Sequence, residues 1–258
     1  MQNNTFSTLF VGQNLIRLSE VDSTNDFLKL MVSNSEPLPE GTVIMADKQY
    51  AGRGQQEARW LAEPGKNLTI SLYLRPEFLS LENQFFLNIA ISNGVSECIT
   101  KILGDSVKIK WPNDIFYKES KLGGILIENL VSGGKLKASI IGIGLNVNQV
   151  SFDDSIRNKA ISISQILQRN VDLIKLLKDV CSHIEKEYLL LRSGRFLDLK
   201  RRYIKKLYRF GKLKPYRQNG EEIIGEIVDV KDIGLLVIKI NNVIETFNFK
   251  EIEYLTSN

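Results

Sequence analysis

Between Lys110 and Glu128 the chain reads KWPNDIFYKESKLGGILIE, and this stretch limits the folds open to it. Pro112 holds the residue before it extended, so the strand-like run 107–111 ends at a corner. A second run, 114–118, begins beyond that corner. A short polar spacer then leads to Lys121 and the paired glycines Gly123 and Gly124, which permit a backbone approach that a Cβ would block. A third run, 123–130, follows. The chain therefore doubles back here as a hairpin, with two lysines and an Asn-Asp pair gathered beside the glycines. In 258 residues with one histidine and two cysteines, this is where the chemistry has to be sought.

The remaining pattern alternates strands with helices. Residues 14–20, 42–47, 67–74 and 137–147 read as strands. Asp22, Ser23 and Thr24 supply capping side chains for a helix through Val32. A long polar loop with glycines spans 48–66, and connections of that length are usually functional or mobile. Apolar spacing predicts helices at 82–103 and 172–191, and a basic helix through Tyr208. After Gly211 the composition shifts to short strands broken by turns, including Lys231–Gly234 and Asn241-Asn242. The expected organisation is a main unit over 1–210 and a small β unit of SH3-like size over 211–258, docked on the first because alone it would be marginal.

Composition removes several classes. A net charge of +4, from 34 basic and 30 acidic residues, is no nucleic-acid footprint. No run approaches the ~18 apolar residues of a membrane span, and the N-terminus lacks the pattern of a signal peptide. Cys98 and Cys181 are too far apart in sequence for a metal knuckle and read as free thiols of a cytoplasmic protein. His183 falls near the apolar stripe of the 172–191 helix and reads as structural. Gly65-Lys66-Asn67 lacks the rest of a P-loop, and Gly142-Ile143-Gly144 lacks the third glycine of a dinucleotide fingerprint.

What remains is a set of anion-binding groups. The loop Gly52-Arg53-Gly54-Gln55-Gln56-Glu57-Ala58-Arg59-Trp60 sets an arginine between two glycines, and Arg53 offers a planar fork for a carboxylate or phosphate. Trp60 offers a ring to a base. Lys121 points into whatever cavity the glycines open. GIGLNVN, from Gly142 to Asn148, ends an apolar strand with two amides. Taken singly, each has a bland reading as a mobile loop, a strand-ending turn or a surface lysine.

Together, Ser23-Thr24-Asn25, Gln49 with Gly52–Trp60, KWPND with Lys121 and GGILIE, and GIGLNVN resemble the biotin protein ligases in order and spacing. The resemblance implies an α+β fold with a mixed β-sheet flanked by helices, of the biotin/lipoate ligase, class II synthetase-like type, plus a small C-terminal SH3-like β-barrel. It implies that ATP and biotin condense to biotinyl-5′-adenylate, and that a lysine of a biotin carboxyl carrier domain then takes the acyl group. By the same resemblance Ser23, Thr24, Asn25, Gln49, Gly52, Arg53, Lys121, Gly123 and Gly124 bind biotin. Arg53, Arg59, Trp60, Lys110, Asn113, Lys121 and Asn146 bind ATP or the adenylate. Lys121 and Arg53 are the catalytic residues. Mg2+ travels with ATP, and Asp114 is the one carboxylate nominated beside it. The partners implied are the carrier domain and small molecules, with no DNA and no membrane, in a monomer or homodimer.

The loop departs from the family's commonest pattern. Further basic residues and a third glycine often follow GRG, whereas here Gln55, Gln56, Glu57 and Ala58 follow, and Arg59 is the next cation. Two alternatives stand beside the ligase reading: a lipoate-protein ligase and a catalytically inactive biotin-binding module. Only 22 residues precede Ser23, fewer than the roughly 55–65 of a small independent domain, so no helix-turn-helix is expected there.

Overall fold

The computed structural model describes residues 6–33, 37–55, 58–154, 156–157 and 159–255; Gln56 and Glu57 of the unusual loop lie outside them. In chain order the elements are β1 (Leu15–Val21), α1 (Thr24–Ser33), β2 (Val43–Gln49), β3 (Leu68–Leu74), α2 (Phe85–Leu103), β4 (Val107–Lys110), β5 (Asp114–Tyr117), β6 (Ser120–Ser132) and β7 (Lys135–Leu145). They continue as α3 (Ile163–Leu167), α4 (Leu173–Arg192), α5 (Phe196–Lys206), β8 (Leu213–Gln218), β9 (Glu221–Val230), β10 (Leu236–Ile240), β11 (Val243–Phe247) and β12 (Glu253–Tyr254). The fold is α+β, as expected. α3, β8 and β12 were not legible in the sequence: α3 and β12 are too short to show a period, and β8 (LKPYRQ) is mostly polar and carries a proline.

Seven strands form one mixed sheet in the order β1-β2-β3-β7-β6-β5-β4, with β1 and β2 parallel and the other pairs antiparallel. Because side chains alternate along a strand, each ladder row commits to one face. The row Leu68, Leu145, Gly123, Ile115 and Ile109 faces the main core under α2 and α4. α2 and α4 approach closely at Gly94, where a Cβ would stand 2.8 Å from the Ile184 Cα. On the opposite face α1 covers only one part, through Leu28 against Ile44, Tyr73, Ala138 and Ile140. The uncovered part of that face becomes the site.

Residues ahead of β1 are anchored by Glu185 of α4. Its buried carboxylate accepts the backbone N–H groups of Leu9 at 2.8 Å, Phe10 at 2.8 Å and Val11 at 3.0 Å. Hydrogen bonds to a charged group are each worth about 1.5–3 kcal/mol, so Glu185→Ala is expected to cost at least about 3 kcal/mol. Calorimetry should show the Tm falling by roughly 5–10 °C, with the site chemistry unchanged.

The last five strands form an antiparallel sheet in the order β11-β10-β9-β8-β12. Two-residue turns at Asn219-Gly220 and Asn241-Asn242 have positive φ at both positions, the geometry that matches strand twist in a tight hairpin. This sheet is pinned to the first through the Trp-Pro-Asn corner between β4 and β5. Trp111 Nε1 donates to the Gly234 carbonyl at 3.0 Å, and Lys200 of α5 pairs with Asp232 at 2.8 Å. Gly234 has a φ of +99°, and a Cβ there would lie 2.6 Å from the Phe85 ring.

Candidate active site

One ladder row builds the floor of the site. Thr69 on β3 pairs with Gly144 on β7, Gly144 with Gly124 on β6, Gly124 with Asp114 on β5, and Asp114 with Lys110 on β4. The next row on the same face carries Ser71, Gly142 and Leu126. Three glycines in adjacent positions leave a hollow in the sheet. A Cβ at Gly144 would lie 2.5 Å from the Trp60 ring, one at Gly142 would lie 2.7 Å from Asn25 Oδ1, and one at Gly124 would lie 3.0 Å from Asp114 Oδ1.

The hollow is a cavity of about 180 Å3, reached by Ser23, Thr24 and Asn25 at the start of α1, by Gln49 and by a strap whose described residues 53–55 and 58–60 line it. Its deep end is a polar relay. Gln49 Oε1 accepts from the Thr24 backbone N–H at 2.7 Å and from its hydroxyl at 2.9 Å. Ser71 Oγ donates toward Thr24 Oγ1 at 2.7 Å and Asn25 Oδ1 at 2.5 Å. Ser23, buried, caps the helix by accepting the Asp26 N–H at 3.4 Å. All four residues expected from sequence at this end are brought together.

The strap folds back as a small hairpin, with Gly54 N–H donating to the Ala58 carbonyl at 2.6 Å and Trp60 N–H to the Gly52 carbonyl at 3.0 Å. Gly52 is required for that closure, since a Cβ there would sit 2.5 Å from the Trp60 carbonyl oxygen. The Arg53 guanidinium was expected to face a carboxylate or phosphate of the substrate. It is instead held by two carboxylates of the protein, Asp26 Oδ1 at 2.5 Å and Glu128 Oε2 at 3.1 Å. Glu128 also accepts from Lys29 at 2.5 Å and Asn25 at 2.7 Å. Burial alone would raise the Glu128 carboxyl, but the Lys29 and Asn25 hydrogen bonds and the Lys29 and Arg53 charges outweigh it and hold it below the usual carboxylate range. Glu128 thus ties the strap to the floor. Glu128→Ala is expected to speed tryptic cleavage at Arg53 and Arg59 several-fold.

A second cavity, about 870 Å3, opens from the first and shares Arg59, Trp60, Asp114, Lys121 and Phe249 with it. Lys121 Nζ stands at this junction, 2.7 Å from Asp114 Oδ1. Lys110, Asn146, Arg209 and Tyr254 line the second cavity. Lys110 Nζ lies 5.2 Å from the Phe116 ring centroid and 4.8 Å from that of Tyr254. Burial lowers its ammonium below the usual lysine range, with the Asp114 charge pulling the other way. Trp60 packs flat on Gly144 with its buried indole N–H facing no acceptor among the described residues. Arg59 is exposed, borders both cavities and forms no ion pair among the described residues.

Two sequence expectations change place. Gly123 lies on the core face, where a Cβ would meet the Gly144 carbonyl oxygen at 2.4 Å, because neighbouring residues of a strand point to opposite sides. It serves the packing, and Gly124 alone of the pair serves the cavity. Asn113 is buried and donates to the Ile125 carbonyl at 2.6 Å, closing the corner; it borders neither cavity. Asp114 is ion-paired with Lys121, and among the described residues no three His, Cys, Asp or Glu side chains are placed to hold a metal. His183 Nδ1 contacts the Asp179 carbonyl one turn back within α4, and the residue lines neither cavity. Cys98 and Cys181 are free and buried, their thiols pushed up to about 12 by burial. Asp26, Glu128 and Phe249 were missed by the sequence reading.

Residues 18–146 match the model of the biotin/lipoate A/B protein ligase family. The bifunctional ligase/repressor BirA of Bacillus subtilis is 30% identical over 248 residues, which is 95% of this chain and 75% of that protein. The chain belongs to the biotin/lipoate A/B protein ligase family. The biotin–[acetyl-CoA-carboxylase] ligase of Paracoccus denitrificans is 32% identical over half of this chain and 53% of its own length. Among solved structures, the biotin protein ligase of Aquifex aeolicus in complex with biotin and ATP superposes with a TM-score of 0.77 at 30% identity, covering 95% of this chain and all of that one. The matched span contains Arg53, Arg59, Trp60, the glycine floor and Lys121, whereas Tyr208, Arg209, Phe249 and Tyr254 of the second cavity lie beyond it. No helix among the described residues is long and apolar enough to cross a membrane.

Proposed function

We propose that this chain is a biotin protein ligase that joins biotin to AMP and passes the acyl group to a lysine of a biotin carboxyl carrier domain. One observation carries the reading: a small polar-ended cavity and a larger cationic one meet at a single lysine, Lys121. The first is sized for the bicyclic head and acyl chain of biotin, with Thr24, Asn25 and Gln49 supplying hydrogen bonds at its closed end. The second suits a nucleotide, with Trp60 for the base and Lys110 and Arg59 for phosphate oxygens. Lys121 then stands over the carboxylate and the α-phosphate as they combine.

Both half-reactions place negative charge on phosphate or acyl oxygens, and fixed cations stabilise that charge. No histidine or cysteine nucleophile is needed. Arg53, neutralised by Asp26 and Glu128, acts through the strap it pins, and Arg59 takes the place of the basic residues absent after Gly54. Magnesium enters with the ATP phosphates as part of the substrate. The two buried free thiols suit a reducing, cytoplasmic setting.

The test is direct. The protein is incubated with ATP, magnesium, biotin and a carrier domain, and the carrier is probed with streptavidin. Labelled carrier is expected. An unlabelled carrier, or equal transfer of lipoate, would overturn the reading.

A further inference from the structure

A third cavity, about 480 Å3, is lined by none of the residues proposed above to hold biotin or ATP, and Asn113 borders it. It runs alongside β6 beyond Gly124, the residue at which β5 pairing ends. Its walls come from both sheets: Gln84 and Asn88 at the start of α2, Trp111 of the corner, Asn129 of β6, and Asn248 and Phe249 after β11. It communicates with the first cavity through Gln55, Leu126 and Phe249, and Phe249 borders all three. None of the described residues lining it carries a charge, which sets it apart from the second cavity with Lys110, Lys121, Arg59 and Arg209.

We infer that this neutral groove is the path by which the acceptor lysine side chain reaches the acyl adenylate. The inference rests on the ligase reading above and adds the location of its second substrate. Transfer requires the lysine nitrogen to donate its lone pair to the acyl carbon. The bond from that carbon to the phosphate oxygen breaks, AMP leaves with the electron pair, and the amine's proton passes to solvent. A lysine of pKa ~10.4 arrives as an ammonium. The second cavity is closed to it twice over, by its own cations and by the nucleotide it holds. In the third, the aromatic side chains of Trp111 and Phe249 attract the cation, the amides offer hydrogen bonds, and the loss of water favours the uncharged amine that reacts.

Ile233 borders this groove and is 65% exposed, so it accepts substitution without disturbing the core. Ile233→Lys is expected to raise the KM for the carrier domain about fivefold, the size of a like-charge contact near a surface, and Ile233→Glu is not. Asn129→Lys, from another wall, should repeat the effect of Ile233→Lys. Biotin-dependent exchange of pyrophosphate into ATP, which reports the first half-reaction alone, should match the parent protein in all three. Carrier KM values equal to the parent's, or raised equally by Lys and Glu, would overturn the inference while leaving adenylate formation intact. Absence of the exchange reaction in the unsubstituted protein would overturn the ligase reading instead.

Discussion

Lys121→Ala is expected to lower biotin-dependent pyrophosphate exchange by about 10²–10³-fold, the loss seen when one preorganised donor to a developing oxyanion is removed. The expectation follows from position. Lys121 is the only lysine among the described residues that borders both the first and the second cavity. Its partner Asp114 holds the Nζ at 2.7 Å, so its direction is set before the substrates arrive. The pair is partly open to solvent, with side-chain exposures of 39% and 29%, and such a pair contributes at most about 1 kcal/mol to stability. Tm should therefore move little while activity collapses. Exchange within a few-fold of the parent protein would remove Lys121 from the chemistry and leave Lys110 and Arg59 as the cations that carry it.

The same geometry separates two arginines that look alike in the sequence. Arg53 lies in the glycine-rich motif and reads there as the substrate's anion ligand. Its guanidinium has two carboxylate partners already, so moving it to a phosphate would strand Asp26 and Glu128 as neighbouring carboxylates beside Lys29 alone. Arg59 has no such commitment. The sequence places both in one loop. Only the fold shows that Asp26, on α1, and Glu128, on β6, converge on the first of them.

This marks the boundary of what was legible. Lys121 could be singled out from the glycines beside it, whereas Ser23-Thr24-Asn25 and Gln49 were read as a site only through the resemblance of their motifs to the biotin protein ligases. Elements with a strong period, such as α2 and α4, were equally readable. Register was not. Thr69, Gly144, Gly124, Asp114 and Lys110 lie far apart in sequence and become one row only when five strands pair. Without that register Gly123 and Gly124 are indistinguishable, and Asn113 looks as available as Asp114. Phe249 gave no signal at all, because its role depends on how the second sheet docks against Trp111.

The two faces of the sheet make opposite predictions for the same change. Gly144→Ala would place a methyl group 2.5 Å from the Trp60 ring, so the indole must move outward and carry the end of the strap with it. Overpacking of this kind costs about 1–3 kcal/mol. Here the displaced group is a half-exposed wall of both cavities, so the cost should fall on ligand binding. The KM values for biotin and ATP are expected to rise roughly 10–100-fold, with a change in tryptophan fluorescence and a nearly unchanged Tm. Gly123→Ala, on the core face, presses on the Gly144 carbonyl at 2.4 Å and the Leu145 side chain at 2.5 Å. Backbone in the middle of a seven-stranded sheet cannot yield as a strap can, so this variant should lose Tm by several degrees. Measured on the two variants side by side, a Gly144→Ala protein with parental KM values would show that Trp60 does not wall the ligand sites.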